Sequence, residues 1–130
     1  MTKTRFSLKS RLGSFRYAFR GLRLLLRNEH NSRIHFIAAI IAIALGFLLK
    51  INLFEWSVLI IVTGTVFLTE LFNSSLETLS DIVDNEYNER IRDSKDYAAA
   101  AVLVASIISI LAGGIIFIPK ILDLLNLFNS

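Results

Sequence analysis

The sequence predicts an all-α membrane protein, with three transmembrane helices preceded by an amphipathic surface helix. Two observations from composition support this fold class: 54% of the 130 residues are hydrophobic, and the mean hydropathy is +0.58. Both values are high for a soluble domain of this length. The third observation is that the chain contains uncharged segments long enough to cross a bilayer as helices. The chain has no cysteine, which excludes disulfides and thiolate chemistry.

The beginning of the chain is strongly basic. Nine of the fourteen Lys and Arg residues lie in residues 1–33, against a single acid, Glu29. Residues 1–10 have no periodic pattern and are expected to form a tail. In residues 11–28, arginines repeat every three or four positions opposite phenylalanines and leucines, which predicts a helix lying among the lipid headgroups. The positive charge places the amino terminus on the cytoplasmic side of the membrane.

Three apolar segments follow and complete a single membrane domain, residues 1–130. The expected spans are residues 33–50, 54–83 and 96–118. Residues 84–95 are charged and are expected to connect spans two and three on the cytoplasmic side. Pro119 and Lys120 are expected to end the third span, leaving residues 119–130 as a tail. Three spans could hardly shield polar groups by themselves, so a homo-oligomer is expected.

Span two carries a column of polar residues at its cytoplasmic half. Glu70, Asn73, Glu77 and Asp81 follow one another at spacings of three, four and four residues. At about 100° per residue, these positions share one helix face. An ionisable group costs about 2.5 to 3.5 kcal/mol at the bilayer centre and indicates a functional site. The column is therefore the candidate site.

These residue types match the chemistry of phosphoryl transfer. Carboxylates of the column, together with Glu29, are hard oxygen ligands of the kind that Mg²⁺ takes alongside substrate phosphates. A carboxylate at the lipid interface can accept a proton from an alcohol, and Lys95 can supply positive charge to a phosphate. The sequence contains neither a P-loop nor the motifs of eukaryotic-type protein kinases. A lipid hydroxyl is the expected acceptor.

The same residues also fit other interpretations. The polar column could hold helices together without doing chemistry, and Glu29 could cap a helix. Ion or proton transport needs polar residues across the whole membrane, which spans one and three lack near their middles. Nucleic-acid binding is disfavoured because the arginines alternate with a membrane-seeking face. His35 is expected to form an interfacial hydrogen bond rather than to bind a metal.

The polar motifs resemble the signature of the small bacterial diacylglycerol kinase and undecaprenol kinase family. The resemblance extends from about residue 11 to residue 121. Its motifs are Glu70-x-x-Asn73-Ser74-x-x-Glu77-x-x-x-Asp81, Glu86-Tyr87, Lys95-Asp96-x-x-x-Ala100-Ala101-Val102-Leu103, Gly21-Leu22-Arg23 and Asn28-Glu29. It implies an ATP- and Mg²⁺-dependent lipid kinase in the bacterial inner membrane, built as a homotrimer with active sites shared between subunits.

The resemblance also implies a role for individual residues. Glu70 corresponds to the catalytic base, and Glu29 and Glu77 correspond to the metal ligands. The implied ATP-binding positions are Tyr17, Glu29, Glu77, Glu86, Tyr87, Asn88, Lys95 and Asp96. The implied lipid-binding positions are Arg11, Phe15, Phe19, Arg23, Trp56, Glu70 and Ala99. Asn73 and Asp81 correspond to supporting polar residues. Position 88 is a departure, because the family often has histidine there.

The lipid acceptor is the remaining question. The residues that favour undecaprenol are Asn31, Arg33, His35, Glu55-Trp56 and the ending Ile115-Ile116-Phe117-Ile118-Pro119-Lys120, which look more like the undecaprenol kinase branch. Diacylglycerol is the alternative, since both lipids present an alcohol at the interface and hydrocarbon below it.

Overall fold

The computed structural model describes residues 8–83 and 88–128, with side chains described for 13–83 and 88–126. The described residues form helices only: α1 (Leu8–Asn28), α2 (His30–Leu48), α3 (Leu53–Val83) and α4 (Glu89–Phe128). Three of these, α2, α3 and α4, are long and apolar enough to cross a membrane. The predicted all-α fold, with three spans after an amino-terminal helix, is confirmed. The first helix begins at Leu8. Residues 8–10, which were expected to belong to the tail, are therefore part of α1.

The junction between α1 and α2 is a single residue. Glu29 adopts an extended backbone, with φ −98° and ψ 119°, and so breaks the helix at this point. Arg33 then folds back, and its guanidinium donates hydrogen bonds of 3.0 Å and 2.6 Å to the carbonyls of Leu26 and Arg27. These carbonyls belong to the last turn of α1 and would otherwise lack a partner. The junction therefore fixes the direction in which α1 leaves the first span.

The turn between α2 and α3 lies at the opposite end of the bundle, which we call the Trp56 end. Lys50 has a φ of 50°, which reverses the chain. Asn52 and Glu55 form reciprocal hydrogen bonds: the Asn52 amide donates to Glu55 Oε2 at 2.7 Å, and the Glu55 amide donates to Asn52 Oδ1 at 2.9 Å. This capping box starts α3. Trp56 follows and packs on Phe47, with ring centroids 4.9 Å apart.

A buried apolar cluster also lies near the Trp56 end. Its buried members are Ile51, Leu59, Ile116 and Phe117. It forms because α4 packs against α3 over a long interface, whereas α2 makes fewer contacts with either helix. The gap between α2 and the other two spans is the cleft described below.

The third span differs from its prediction at both ends. Asn88 Oδ1 accepts a hydrogen bond from the Arg90 amide at 3.0 Å, which caps the helix so that α4 begins at Glu89. At the other end, α4 continues through Pro119 to Phe128, so the expectation that Pro119 ends the helix is wrong. Pro119 removes one backbone hydrogen bond, but the residues on both sides of it are anchored.

Packing and charge explain why the helix continues through this proline. Ile116 and Phe117 are buried just before it. Just after it, Lys120 Nζ lies 3.1 Å from Glu55 Oε2. The expected tail of residues 119–130 is therefore largely helix. At 1.5 Å per residue, the 40 residues of α4 extend over about 60 Å, roughly twice the thickness of a hydrocarbon core.

Candidate functional site

Glu70 is buried, with 3% of its surface exposed, and it faces α2. Ser32 donates a hydrogen bond from Oγ to Glu70 Oε2 at 2.9 Å. The other carboxylate oxygen, Oε1, lies 3.3 Å from Nε2 of His35, but it accepts no well-aligned hydrogen bond from the described residues. The carboxylate is therefore fixed through one oxygen, while the other retains a lone pair. We call this the Glu70 end of the bundle.

Glu29 also reaches α3, one turn beyond Glu70. Its Oε1 accepts a hydrogen bond from Ser74 Oγ at 3.2 Å. Glu29 stands at the N-cap position of α2, but its side chain makes no capping hydrogen bond. The alternative that Glu29 is a helix cap therefore describes its backbone position, whereas its carboxylate turns toward the polar column.

Asn73 and Glu77 form the next contact on α3. Asn73 Nδ2 donates a hydrogen bond to Glu77 Oε1 at 3.2 Å. The amide oxygen of Asn73 is buried and has no hydrogen-bond partner among the described residues. A buried polar atom without a partner costs free energy and needs an explanation, and a hard cation or a water is the kind of partner that this oxygen can accept.

The two carboxylates expected to bind metal converge on one turn of α3. Ser74, which holds Glu29, is three residues from Glu77, and residues at that spacing have Cβ atoms about 5 to 6 Å apart. Among the described residues no group of three or more His, Cys, Asp or Glu side chains could hold a metal. Two carboxylates with one amide oxygen nearby fit Mg²⁺ held jointly with phosphates rather than by protein alone.

Farther along α3, Asp81 pairs with α4. Its Oδ1 lies 3.1 Å from Nζ of Lys95, and the two side chains are 71% and 37% exposed. Asp96 is next to this pair and is exposed. Because the pair is open to water, its electrostatic attraction is modest, and Lys95 can exchange Asp81 for a phosphate at little cost. The positive charge that the sequence predicted is thus close to the polar column.

Other predicted site residues are not brought to this column within the chain. On α1, Phe15, Tyr17, Phe19 and Arg23 are exposed. Trp56 packs at the opposite end, fourteen residues or about 21 Å along α3 from Glu70. Ala99 is exposed on α4, and Asn88 caps that helix. Glu86 and Tyr87 lie outside the described residues, as does the side chain of Arg11.

A cleft of about 460 Å³ runs between α2 and the α3–α4 pair. Its walls are mostly apolar, from Ile34 near the Glu70 end to Phe117 near the Trp56 end. His35 lines it and also contacts Glu70. The volume is within the range of small-molecule sites, and His35 brings one end of the cleft to the buried carboxylate.

Sequence reasoning missed Ser32, the closest partner of Glu70. The available signal was weak: Ser32 and His35 are three residues apart and therefore share a face of an otherwise apolar helix. That spacing could have placed the pair on one face, but it could not have identified Glu70 as the residue opposite.

Comparison with known proteins shows the family of this chain. Residues 16–117 match the family described as prokaryotic diacylglycerol kinase. The chain belongs to this family. It is accordingly a lipid kinase, a phosphotransferase with an alcohol acceptor, and a multi-pass membrane protein, as the sequence predicted. The interpretations as a purely structural protein or a transporter are set aside.

Curated relatives of this lipid kinase carry two different names. It is 34% identical over 108 residues to the undecaprenol kinase of Bacillus subtilis, covering 83% of this chain and 88% of that one. It is 35% identical over 115 residues to a diacylglycerol kinase of Synechocystis, covering 88% and 66%. It is 30% identical over 95 residues to the diacylglycerol kinase of Escherichia coli K12, covering 73% and 78%.

Proposed function

We propose that this lipid kinase transfers the γ-phosphoryl group of ATP to the hydroxyl of undecaprenol, with Mg²⁺ as the metal. The observation that carries the proposal is the convergence of Glu29 and Glu77 on one turn of α3, one to two turns from Glu70. The contacts are the hydrogen bonds of Glu29 to Ser74 and of Glu77 to Asn73. Phosphoryl transfer needs acceptor, phosphates and metal held in this kind of proximity.

Each residue of the proposed site has its own role in the reaction. Glu70 Oε1, which accepts no aligned hydrogen bond from the described residues, takes the proton of the lipid hydroxyl as the hydroxyl oxygen bonds to the γ-phosphorus of ATP. The bond between this phosphorus and the bridging oxygen breaks, and ADP leaves. Glu29 and Glu77 would hold Mg²⁺, and the ion would supply positive charge to the phosphate oxygens. Lys95 leaves Asp81 and approaches a phosphate, and Asp96 is next to it. Asn73 holds the carboxylate of Glu77 in orientation.

The apolar cleft supports a long-chain acceptor. It begins at His35, beside the proposed base, and its walls can cover hydrocarbon. The undecaprenol assignment draws on the Bacillus subtilis relative, which carries that name, and on the residues that resemble its branch. Diacylglycerol is the second candidate, because several relatives at similar identity are named diacylglycerol kinase.

The proposal extends to assembly and orientation. The basic residues of α1 favour a cytoplasmic amino terminus in a bacterial inner membrane, which brings the Glu70 end to the side where ATP is found. A homo-oligomer is proposed because the predicted nucleotide- and lipid-contacting residues on α1 stand apart from the polar column of their own chain. Three subunits are proposed because the family resemblance implies a homotrimer. A neighbouring subunit would supply a surface for them.

One assay tests the activity and the acceptor together. The purified kinase in mixed micelles is given γ-labelled ATP with undecaprenol or with diacylglycerol at equal surface concentration. We expect labelled undecaprenyl phosphate, formed only with Mg²⁺ present. Faster phosphorylation of diacylglycerol would replace the proposed acceptor, and full activity of Glu70→Gln would remove the base assignment.

A further inference from the structure

We infer that Ser32 and His35 are positioning residues for Glu70, fixing the orientation of the carboxylate that receives the proton. The inference rests on the proposed function, because it assigns these side chains to the same reaction. It adds two residues that neither the polar motif nor the predicted roles include as partners of the base.

Burial is the first step of the argument. Glu70 is 3% exposed and Ser32 is fully buried. Water cannot supply the hydrogen bonds that an ionised carboxylate needs at such a position, so protein donors must replace it. Ser32 provides one such donor at 2.9 Å. The hydroxyl of Ser32 thus takes the place that water would have at an exposed carboxylate.

The different environments of the two carboxylate oxygens are the second step. Ser32 occupies Oε2, whereas Oε1 accepts no aligned hydrogen bond from the described residues. The bond to Oε2 restricts rotation of the carboxylate, which leaves Oε1 as the oxygen for the lipid hydroxyl. Correct orientation of a reacting group is worth a large part of a catalytic barrier, so the hydroxyl of Ser32 acts on the rate through Glu70.

His35 lies beside the second carboxylate oxygen of Glu70. Its Nε2 lies 3.3 Å from Glu70 Oε1, and its side chain is 25% exposed against 4% for that of Glu70. It also lines the apolar cleft. The imidazole therefore stands between the cleft and the reactive oxygen, where a ring nitrogen can support the carboxylate while the hydroxyl of the bound lipid approaches it.

The test compares Ser32→Ala, His35→Leu and His35→Gln in the full-length enzyme, with rates expressed per folded protein. Gln has an amide nitrogen at nearly the reach of the imidazole Nε2, whereas Leu fills similar space without a donor. We expect Ser32→Ala to lower kcat about ten- to a hundredfold, the worth of a hydrogen bond to a charged group. We expect His35→Leu to lower kcat as well, because it removes the ring nitrogen that lies 3.3 Å from Glu70 Oε1. KM for ATP should stay within about twofold, and His35→Gln should recover most of the lost kcat.

Ser57→Ala is the matched control, because that hydroxyl donates its hydrogen bond to the Leu53 carbonyl of its own helix. Unchanged kcat in Ser32→Ala and His35→Leu would overturn the inference, as would equal losses in His35→Leu and His35→Gln. A purely structural role would reduce the folded fraction and leave kcat per folded enzyme unchanged. Activity in Glu70→Gln is a separate result that overturns the base assignment itself.

Discussion

Gly46 lies against the indole of Trp56 so closely that a β-carbon at position 46 would stand 2.8 Å from Cη2 of the ring and 3.1 Å from Cδ1 of Ile51. No real β-carbon tolerates the first distance, so any larger side chain must displace the indole. The contact joins α2 to α3 at the Trp56 end, next to the best-packed part of the core. Glycine at this position is therefore a packing requirement.

The first prediction concerns this contact. Gly46→Ala should destabilise the protein by about 1 to 3 kcal/mol, the usual cost of overpacking a core. The readouts are thermal unfolding in detergent and tryptophan emission, since the chain has a single Trp. Gly64→Ala is the control, because its β-carbon would meet no atom of the described residues within 4 Å. Unchanged unfolding and emission in Gly46→Ala would contradict the close packing.

The second prediction concerns the hydrogen bond between Ser74 of α3 and Glu29. Ser74→Ala removes the hydrogen bond to Glu29 Oε1, so the carboxylate loses its fixed orientation. We expect the Mg²⁺ concentration at half-maximal rate to rise about fivefold, from roughly 1 kcal/mol of lost hydrogen bonding. Ser75→Ala tests the adjacent, exposed serine and should leave the titration unchanged. Identical Mg²⁺ titrations in both variants would remove Ser74 from the metal site.

The third prediction separates nucleotide binding from stability at the Asp81–Lys95 pair. Lys95→Met should raise KM for ATP about tenfold through loss of a charged phosphate contact. It should barely change the unfolding temperature, because exposed ion pairs contribute little. Arg90→Met removes a charge from an exposed position on the same helix and serves as the comparison. Similar KM values in the two variants would show that Lys95 acts only through general charge.

The fourth prediction concerns the cleft. Ala38→Phe introduces a large side chain into its wall, so hydrocarbon must compete with the ring for space. We expect a severalfold higher KM for a long-chain lipid alcohol and a much smaller change for a short-chain one. Ala44→Phe changes an exposed alanine of α2 outside the cleft. If both variants affect long and short chains equally, the acceptor does not lie in the cleft.

Local patterns predicted most of the fold, and tertiary contacts account for the errors. Helical periodicity and apolar length suffice for three spans, because each span is long enough to be recognised alone. Pro119 misled the prediction because a proline normally ends a helix, whereas here buried neighbours and the Lys120–Glu55 pair hold the helix on both sides. Local sequence preferences are regularly overridden in this way.

The candidate site was predictable in part for a similar reason. The positions of Glu70, Asn73, Glu77 and Asp81 on one helix face follow from spacing alone. The contact between Ser32 and Glu70 joins residues 38 positions apart, and no periodicity connects α2 to α3 at that distance. The roles of the exposed residues on α1 stay predictions, because this chain alone does not bring them to the polar column.

The apolar cluster and the carboxylates occupy opposite ends of the same three helices. The buried apolar cluster lies at the Trp56 end, and the proposed chemistry lies at the other. Such a separation has an evolutionary consequence. Substitutions around Glu70 that change the preferred acceptor can accumulate without loss of the buried cluster that stabilises the fold. Proteins with the same fold can therefore come to phosphorylate different alcohols.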